Sequence, residues 1–171
     1  MMTIRRINHI VLSVRDLDVS TRFYRDVLGL RVVARLAGTA HWPAMAFLRS
    51  TPDSTNHHDL GLIANADAAA DGLRRPGLFH AAFEVGTIDE LQDLRHRLAA
   101  AGALGSDLDQ GMHLSVYGHD PDGIAVEIIW RVPAEDWSYA DELRRAPLDF
   151  DRARQRWGGR LATGSAAGAP S

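Results

Sequence analysis

Residues 7–14 read Ile7-Asn8-His9-Ile10-Val11-Leu12-Ser13-Val14, and residues 78–85 read Leu78-Phe79-His80-Ala81-Ala82-Phe83-Glu84-Val85. Both are short, mainly apolar runs of strand composition, and both carry a histidine at the third position. Each is followed by helix signals. After the first, Asp16 and Asp18 offer N-caps, Val19, Phe23 and Val27 recur at i, i+4 and i+8, and Gly29 stands where a C-cap belongs. After the second, Thr87 and Glu90 have the spacing of a capping box, Leu91, Leu94 and Leu98 make an apolar stripe, and Gly102 closes it. Strand-like runs then follow at 30–36, 44–49 and 59–64 in the first half. In the second half they fall at 112–117 and 124–130, joined by the turn Asp120-Pro121-Asp122-Gly123, with a fainter strand around 103–106. The order β-α-β-β-β thus occurs twice, an internal repeat.

The expected fold class is α+β. Two βαβββ modules, at about 4–65 and 77–131, make one domain over residues 1–132. Residues 66–77 form the linker between the copies, 133–157 a C-terminal extension, and the Gly/Ala/Ser-rich stretch 158–171 a disordered tail.

Composition narrows the function. The 171 residues are 46% hydrophobic and 24% charged, an ordinary globular balance with enough material for a core. The net charge of −3 argues against a nucleic-acid or anionic-membrane partner, where a basic excess is expected. Cysteine is absent, which removes disulfides, thiolate metal sites and cysteine nucleophiles. All 19 basic side chains are arginine, so Schiff-base chemistry and a P-loop lysine are excluded as well. No apolar run has the length of a membrane span and the first residues lack a signal peptide's apolar block, so a cytoplasmic address is expected.

Alternation along a strand sorts these side chains by face. On the first strand Ile10, Leu12 and Val14 form a bulky face suited to packing a helix, and His9 shares the other face with Val11 and Ser13. His80 similarly lies with Ala82 and Glu84, opposite Phe83 and Val85. Glu127 lies with Ala125 and Ile129, opposite Val126, Ile128 and Trp130. A single strand histidine is more often a hydrogen-bonded structural residue than a ligand. Two at repeat-related positions, with a carboxylate on the lighter face of the last strand, make a stronger case. Two His and one carboxylate leave open metal positions, the facial triad of non-haem Fe(II) oxygen chemistry.

Four segments, IRRINHIVLSVRDLDVSTRFYRDVLGL, HHDLGL, GLFHAAFEVGTIDEL and YGHDPDGIAVEI, carry a resemblance to the vicinal oxygen chelate superfamily over residues 5–131. That superfamily contains glyoxalase I, fosfomycin-resistance enzymes, bleomycin-binding proteins and extradiol dioxygenases. The resemblance implies a cupped, barrel-like mixed sheet with helices outside and a divalent metal held by His9, His80 and Glu127. Within the superfamily the chain is most similar to small catechol-type extradiol dioxygenases. HHDLGL resembles the segment carrying their acid/base histidine, which falls on His58, and Tyr117 precedes Glu127 at the spacing of their active-site tyrosine. The glyoxalase I branch uses a fourth ligand, a Glu on the last strand of the first module. Here Asp59-Leu60-Gly61-Leu62-Ile63 contains none. The chain also departs from the dioxygenases, reading Asp109-Gln110-Gly111 where they usually have Asp-His-Gly. His113 is the nearest histidine, and His113 and Gln110 are the residues expected to face substrate.

The implied activity is ring cleavage of a small aromatic diol by O2, with Fe(II) as cofactor, His58 as acid/base and Tyr117 as hydrogen-bond donor. Other vicinal oxygen chelate chemistries, isomerase, epimerase or thiol transferase, would use the same ligands with Mn(II), Ni(II) or Zn(II). A non-catalytic drug-binding protein is the third reading and has no need of the ligands. Short strands leave edges that need covering, and Trp137 and Tyr139 lie beyond the repeat, so a homodimer or higher homo-oligomer is expected.

Overall fold

The protein is described here by a computed structural model covering residues 8–52, 54, 56–66, 78–137, 146–158 and 160. It falls into two compact units, the first made of Met1–Arg75 with Asp120–Gly123, the second of Pro76–His119 with Ile124–Ser171. The elements run β1 (Ile10–Val14), α1 (Leu17–Arg22), a π-helical turn (Phe23–Val27), β2 (Arg31–Leu36), β3 (Met45–Arg49) and β4 (Leu60–Ala64). They continue with β5 (His80–Glu84), α2 (Ile88–Ala100), β6 (Leu104–Asp109), β7 (His113–His119) and β8 (Ala125–Arg131). The extension adds a 3-10 turn (Ala134–Asp136), β9 (Ala146–Pro147) and α3 (Phe150–Trp157). No helix among the described residues is long and apolar enough to cross a membrane.

The α+β class and the doubled β-α-β-β-β order are both present. The strands lie in two mixed sheets, ordered β1-β4-β3-β2 and β5-β8-β7-β6-β9, and among the described residues no closed barrel forms. In each unit the first and last strands of the module pair in parallel and the remaining module strands pair antiparallel. The helix between first and second strands supplies the crossover that parallel neighbours require. Residues 67–77 of the expected linker, Tyr139 and most of the tail lie outside the described residues.

In the first unit Asp16, not Asp18, caps α1, its carboxylate accepting from the backbone N–H groups of Asp18 and Val19. The expected apolar stripe needs correcting. Val19 is exposed, and burial runs instead through Ser20, Phe23, Tyr24 and Leu28. Within α1 the inward face is that of Ser20 and Thr21, and at the π turn the Leu28 N–H reaches back five residues to the Phe23 carbonyl, so that Leu28 rather than Val27 follows Phe23 into the core. Leu12 and Val14 of β1 join Ala46, Leu48, Leu60 and Leu62 in this unit's core. Gly29 takes φ 81°, the left-handed conformation that ends the helical segment.

In the second unit the capping box forms as expected, Thr87 Oγ1 accepting from the Glu90 N–H and Glu90 returning the bond to Thr87 N. Leu91, Leu94 and Leu98 are buried with Val116, Val126, Ile128 and Trp130. The faint strand around 103–106 is real and longer, as β6. The extension covers that strand within its own chain: β9 pairs with β6, and α3 binds α2 through Arg154 to Asp89 at 2.8 Å. Trp157 stacks at 5.7 Å on the buried Trp130. An edge expected to need a second subunit is therefore occupied by the chain itself.

The turn 120–123 packs with the first unit. Tyr24 is fully buried and its hydroxyl donates to Asp120 Oδ2 at 3.1 Å, while Arg15 and Ser20 bind Asp122. Burial, and then the Asp120 charge, push the Tyr24 hydroxyl's pKa far up, so it remains a donor. Tyr24→Phe should lower unfolding free energy by about 2 kcal/mol, the scale of a hydrogen bond to a charged acceptor. Urea denaturation checks this, and a variant as stable as the wild type would show that the bond contributes nothing.

Candidate metal centre

The second unit brings His80, Glu127 and Tyr117 together. His80 opens β5 opposite Ala125, and Glu127 lies two residues further along the same face of β8. The outcome is a contact of 3.0 Å between His80 Nε2 and Glu127 Oε2, with Glu127 only 5% exposed. Antiparallel pairing sets Tyr117 directly opposite Glu127, and its ring meets the His80 ring edge-on with centroids 6.1 Å apart.

This pair suits a divalent cation. Two ligand atoms about 2.1 Å from a metal and at right angles lie about 3 Å apart, the separation found between Nε2 and Oε2. The atoms are an imidazole nitrogen and a carboxylate oxygen, the donor types of an Fe(II), Mn(II) or Zn(II) site. Without a cation the same geometry is an N–H···O hydrogen bond. His80 Nδ1 is buried and lacks a hydrogen-bond partner, so the ring is oriented from its Nε2 side. Among the described residues no three His, Asp or Glu side chains gather into a metal-holding group. His9 lies in the first unit, and His80 with Glu127 in the second.

Gln110 and His113 occupy the same end of the second sheet. Gly111, at φ 81°, turns the chain between them, and the Gln110 N–H bonds the His113 carbonyl at 2.9 Å. That turn delivers Gln110 Nε2 to Tyr117 Oη at 2.6 Å. Gln110, at the position where the sequence departs from the expected Asp-His-Gly, therefore contacts the tyrosine directly. His113 pairs with Arg131 and shares a strand face with Ser115 and Tyr117. Burial is the main cause that lowers its pKa, with Glu127 opposing, so the ring favours the neutral form. On β5, the strand beyond β8, burial raises the Glu84 carboxyl, with Arg131 opposing. Ser115 Oγ is buried without a hydrogen-bond partner.

In the first unit His9 and His58 lie together, rings 4.5 Å apart, and Phe47 packs on His58 at 4.6 Å. His57 is exposed, and its Nδ1 meets His58 Nδ1 at 3.0 Å. Burial lowers the His58 pKa, and charge on His9 and His57 lowers it further, against the opposing pull of Asp59. Asn8, Asn56 and Asp59, which strand patterning does not single out, form a chain of hydrogen bonds leading from His9. His9 Nδ1 is 2.8 Å from Asn8 Oδ1, Asn8 Nδ2 donates to Asn56 Oδ1, and Asn56 Nδ2 donates to Asp59 Oδ1. Burial pushes the Asp59 carboxyl up, but the bonds it accepts from Ser50, Asn56 and Ser54 prevail and hold it at about 2. Asn8 adjoins a suspected ligand, which was the available signal; Asn56 is 48 residues away and gave none.

Register also shows what the first unit lacks. Glu127 stands between Ala82 and Tyr117, and the repeat-related place, between Val11 and Phe47, is Gly61. A Cβ at 61 would come within 3.1 Å of Val11 Cγ2, a tight contact with the side chain of the paired strand.

Four similarities bear on family. The model of the Glyoxalase/Bleomycin resistance protein/Dioxygenase superfamily matches residues 6–128. Biphenyl-2,3-diol 1,2-dioxygenase 3 of Rhodococcus globerulus is 34% identical over 129 residues, 72% of this chain and 62% of that enzyme, so the chain spans less than two thirds of its relative. Metallothiol transferase FosB of Lysinibacillus sphaericus is 28% identical over 125 residues, 71% of this chain and 79% of that enzyme. A glyoxylase/bleomycin resistance protein/dioxygenase domain from Frankia superimposes with a TM-score of 0.65 at 28% identity, covering 76% of this chain and all of that one. With its paired βαβββ modules and a model match over most of its length, the chain belongs to the glyoxalase/bleomycin resistance/dioxygenase superfamily.

Proposed function

We propose that the chain is a ring-cleaving extradiol dioxygenase acting on a catechol-like aromatic diol with O2. Its metal is Fe(II), with His9, His80 and Glu127 as ligands. The observation that carries this reading is the second-unit face on which His80 and Glu127 converge at 3.0 Å beside Tyr117. The similarity to a diol dioxygenase supports the substrate class. Gly61 in the register place of Glu127 favours a three-ligand set over the four-ligand isomerase. A thiol transferase is the competing reading, supported by the FosB likeness.

A bound Fe(II) supplies a Lewis-acid contact for the diol oxygens and one-electron chemistry toward O2. The protein's own groups handle protons and orientation. His58, neutral near pH 7 because its pKa is lowered, accepts a proton from a substrate hydroxyl and later returns it. Tyr117 accepts from Gln110 Nε2, which strengthens its own O–H as a donor toward a substrate oxygen. His113, kept neutral by burial, can hydrogen-bond the ring substituents without adding charge.

Iron loading, the three ligand variants and a His58 variant test this. Anaerobic loading with Fe(II), followed by catechol under air, should give a yellow ring-opened product. His9→Ala, His80→Ala and Glu127→Ala should each lose stoichiometric iron while staying folded. A loaded wild type that consumes no O2 with any catechol tried, or a triad variant with wild-type iron affinity, would overturn the corresponding assignment.

The His58→Phe variant should keep iron and bind catechol yet turn over about 10²–10⁴-fold more slowly, the range for losing a positioned acid or base. In the wild type the acid limb of the rate should fall below the ordinary imidazole pKa of about 6.5, because protonating a low-pKa base removes it only at lower pH. Unchanged single-turnover rates in His58→Phe would assign the residue to loop structure instead.

A further inference from the structure

The hydrogen bonds around His9 have directions that can be worked out without seeing a proton. At one end is the Asp59 carboxylate, which only accepts. It takes the Ser50 N–H at 2.8 Å and the Ser50 and Ser54 hydroxyls at 2.9 Å each. Asn56 places one side-chain atom 2.8 Å from Asp59 Oδ1 and 2.9 Å from the Asn8 carbonyl oxygen. Both neighbours are acceptors, so that atom must be the amide nitrogen and the other the oxygen. The Asn56 oxygen, 3.0 Å from the Asn8 side chain, then requires nitrogen there, which leaves Asn8 Oδ1 facing His9 Nδ1 at 2.8 Å. An amide oxygen can only accept, so Nδ1 carries the ring's proton and Nε2 its lone pair.

An imidazole in water favours the opposite tautomer, with the proton on Nε2. The chain of bonds therefore holds His9 in a form that it would otherwise populate less. Nothing in the proposed proton transfers uses Asn8 or Asn56, and neither packs a core. We propose that Asn8, fixed by Asn56 and through it by Asp59, is a positioning residue that locks His9 in the Nδ1–H tautomer so that Nε2 is ready to bind a divalent cation. The cation half rests on the ligand role proposed above for His9. The tautomer half rests on the hydrogen bonds alone. Metal-bound histidines generally need such a partner on the second nitrogen, and its loss typically weakens metal binding about 10–100-fold.

The two halves are tested separately on the full chain. Nitrogen-15 NMR of the metal-free protein, at a pH about two units above the imidazole range, distinguishes a protonated from an unprotonated ring nitrogen. Wild-type His9 should show Nδ1 protonated, Asn8→Leu should move the proton largely to Nε2, and Asn8→Asp, which can still accept, should restore it. Asn56→Ala, which leaves Asn8 in place but frees its amide to flip, should give a mixture and serves if Asn8→Leu does not fold. Wild-type His9 protonated on Nε2, or a tautomer unmoved by both Asn8→Leu and Asn56→Ala, overturns the lock. Co(II) affinity by chelator competition should fall about 10–100-fold in Asn8→Leu and recover in Asn8→Asp. If the tautomer responds as stated while His9→Ala binds Co(II) as tightly as wild type, the lock stands and the ligand role of His9 falls.

Discussion

In each unit a parallel pairing between the first and last strands of the module determines what every other element can do. In the second unit it sets His80 opposite Ala125 and Ala82 opposite Glu127. Because strand side chains alternate, a slip of one residue would turn Glu127 to the opposite face and present Ile128 in its place. Burial prevents the slip. Val126, Ile128 and Trp130 are fully buried with Leu91 and Leu98 of α2, and moving that set into water would cost several kcal/mol at about 1.5–3 kcal/mol per large side chain. The apolar face thus holds the polar one in register, and a buried carboxylate meets its histidine as a consequence.

The two units share this topology and fill it with different chemistry. Where the second has Glu127 between Ala82 and Tyr117, the first has Gly61 between Val11 and Phe47. The second unit therefore offers a carboxylate and a phenol, and the first offers His9 and His58 packed on Phe47. The polar support differs too. His80 is oriented through Nε2 by Glu127, its Nδ1 being buried without a partner, whereas His9 is oriented through Nδ1 by an amide chain ending at Asp59. The two copies share a scaffold and differ in the donors it presents. The turn before β7 is a further case, since Gln110 gives Tyr117 a neutral donor where a histidine would bring a group able to change charge.

The sequence by itself determined the elements and their order, because the forces that set them are local. Alternation fixed the strand faces, Thr87 and Glu90 closed the capping box they spell, and Gly29 took the left-handed turn it permits. The repeat made His9 and His80 visible as a pair, and alternation put Glu127 on the face opposite the bulky residues. Only tertiary structure decided the rest. The π turn put Leu28 rather than Val27 in the core after Phe23, since a widened turn follows from packing rather than from residue spacing. The extension's pairing of β9 with β6 joins segments about 40 residues apart, and no periodicity records such a partner. Gln110 reached Tyr117 because a turn at Gly111 folded it back, and Asn56 reached Asn8 across 48 residues. A hydrogen bond between distant side chains depends on ångström placement of both backbones, and that placement exists only once both cores have packed.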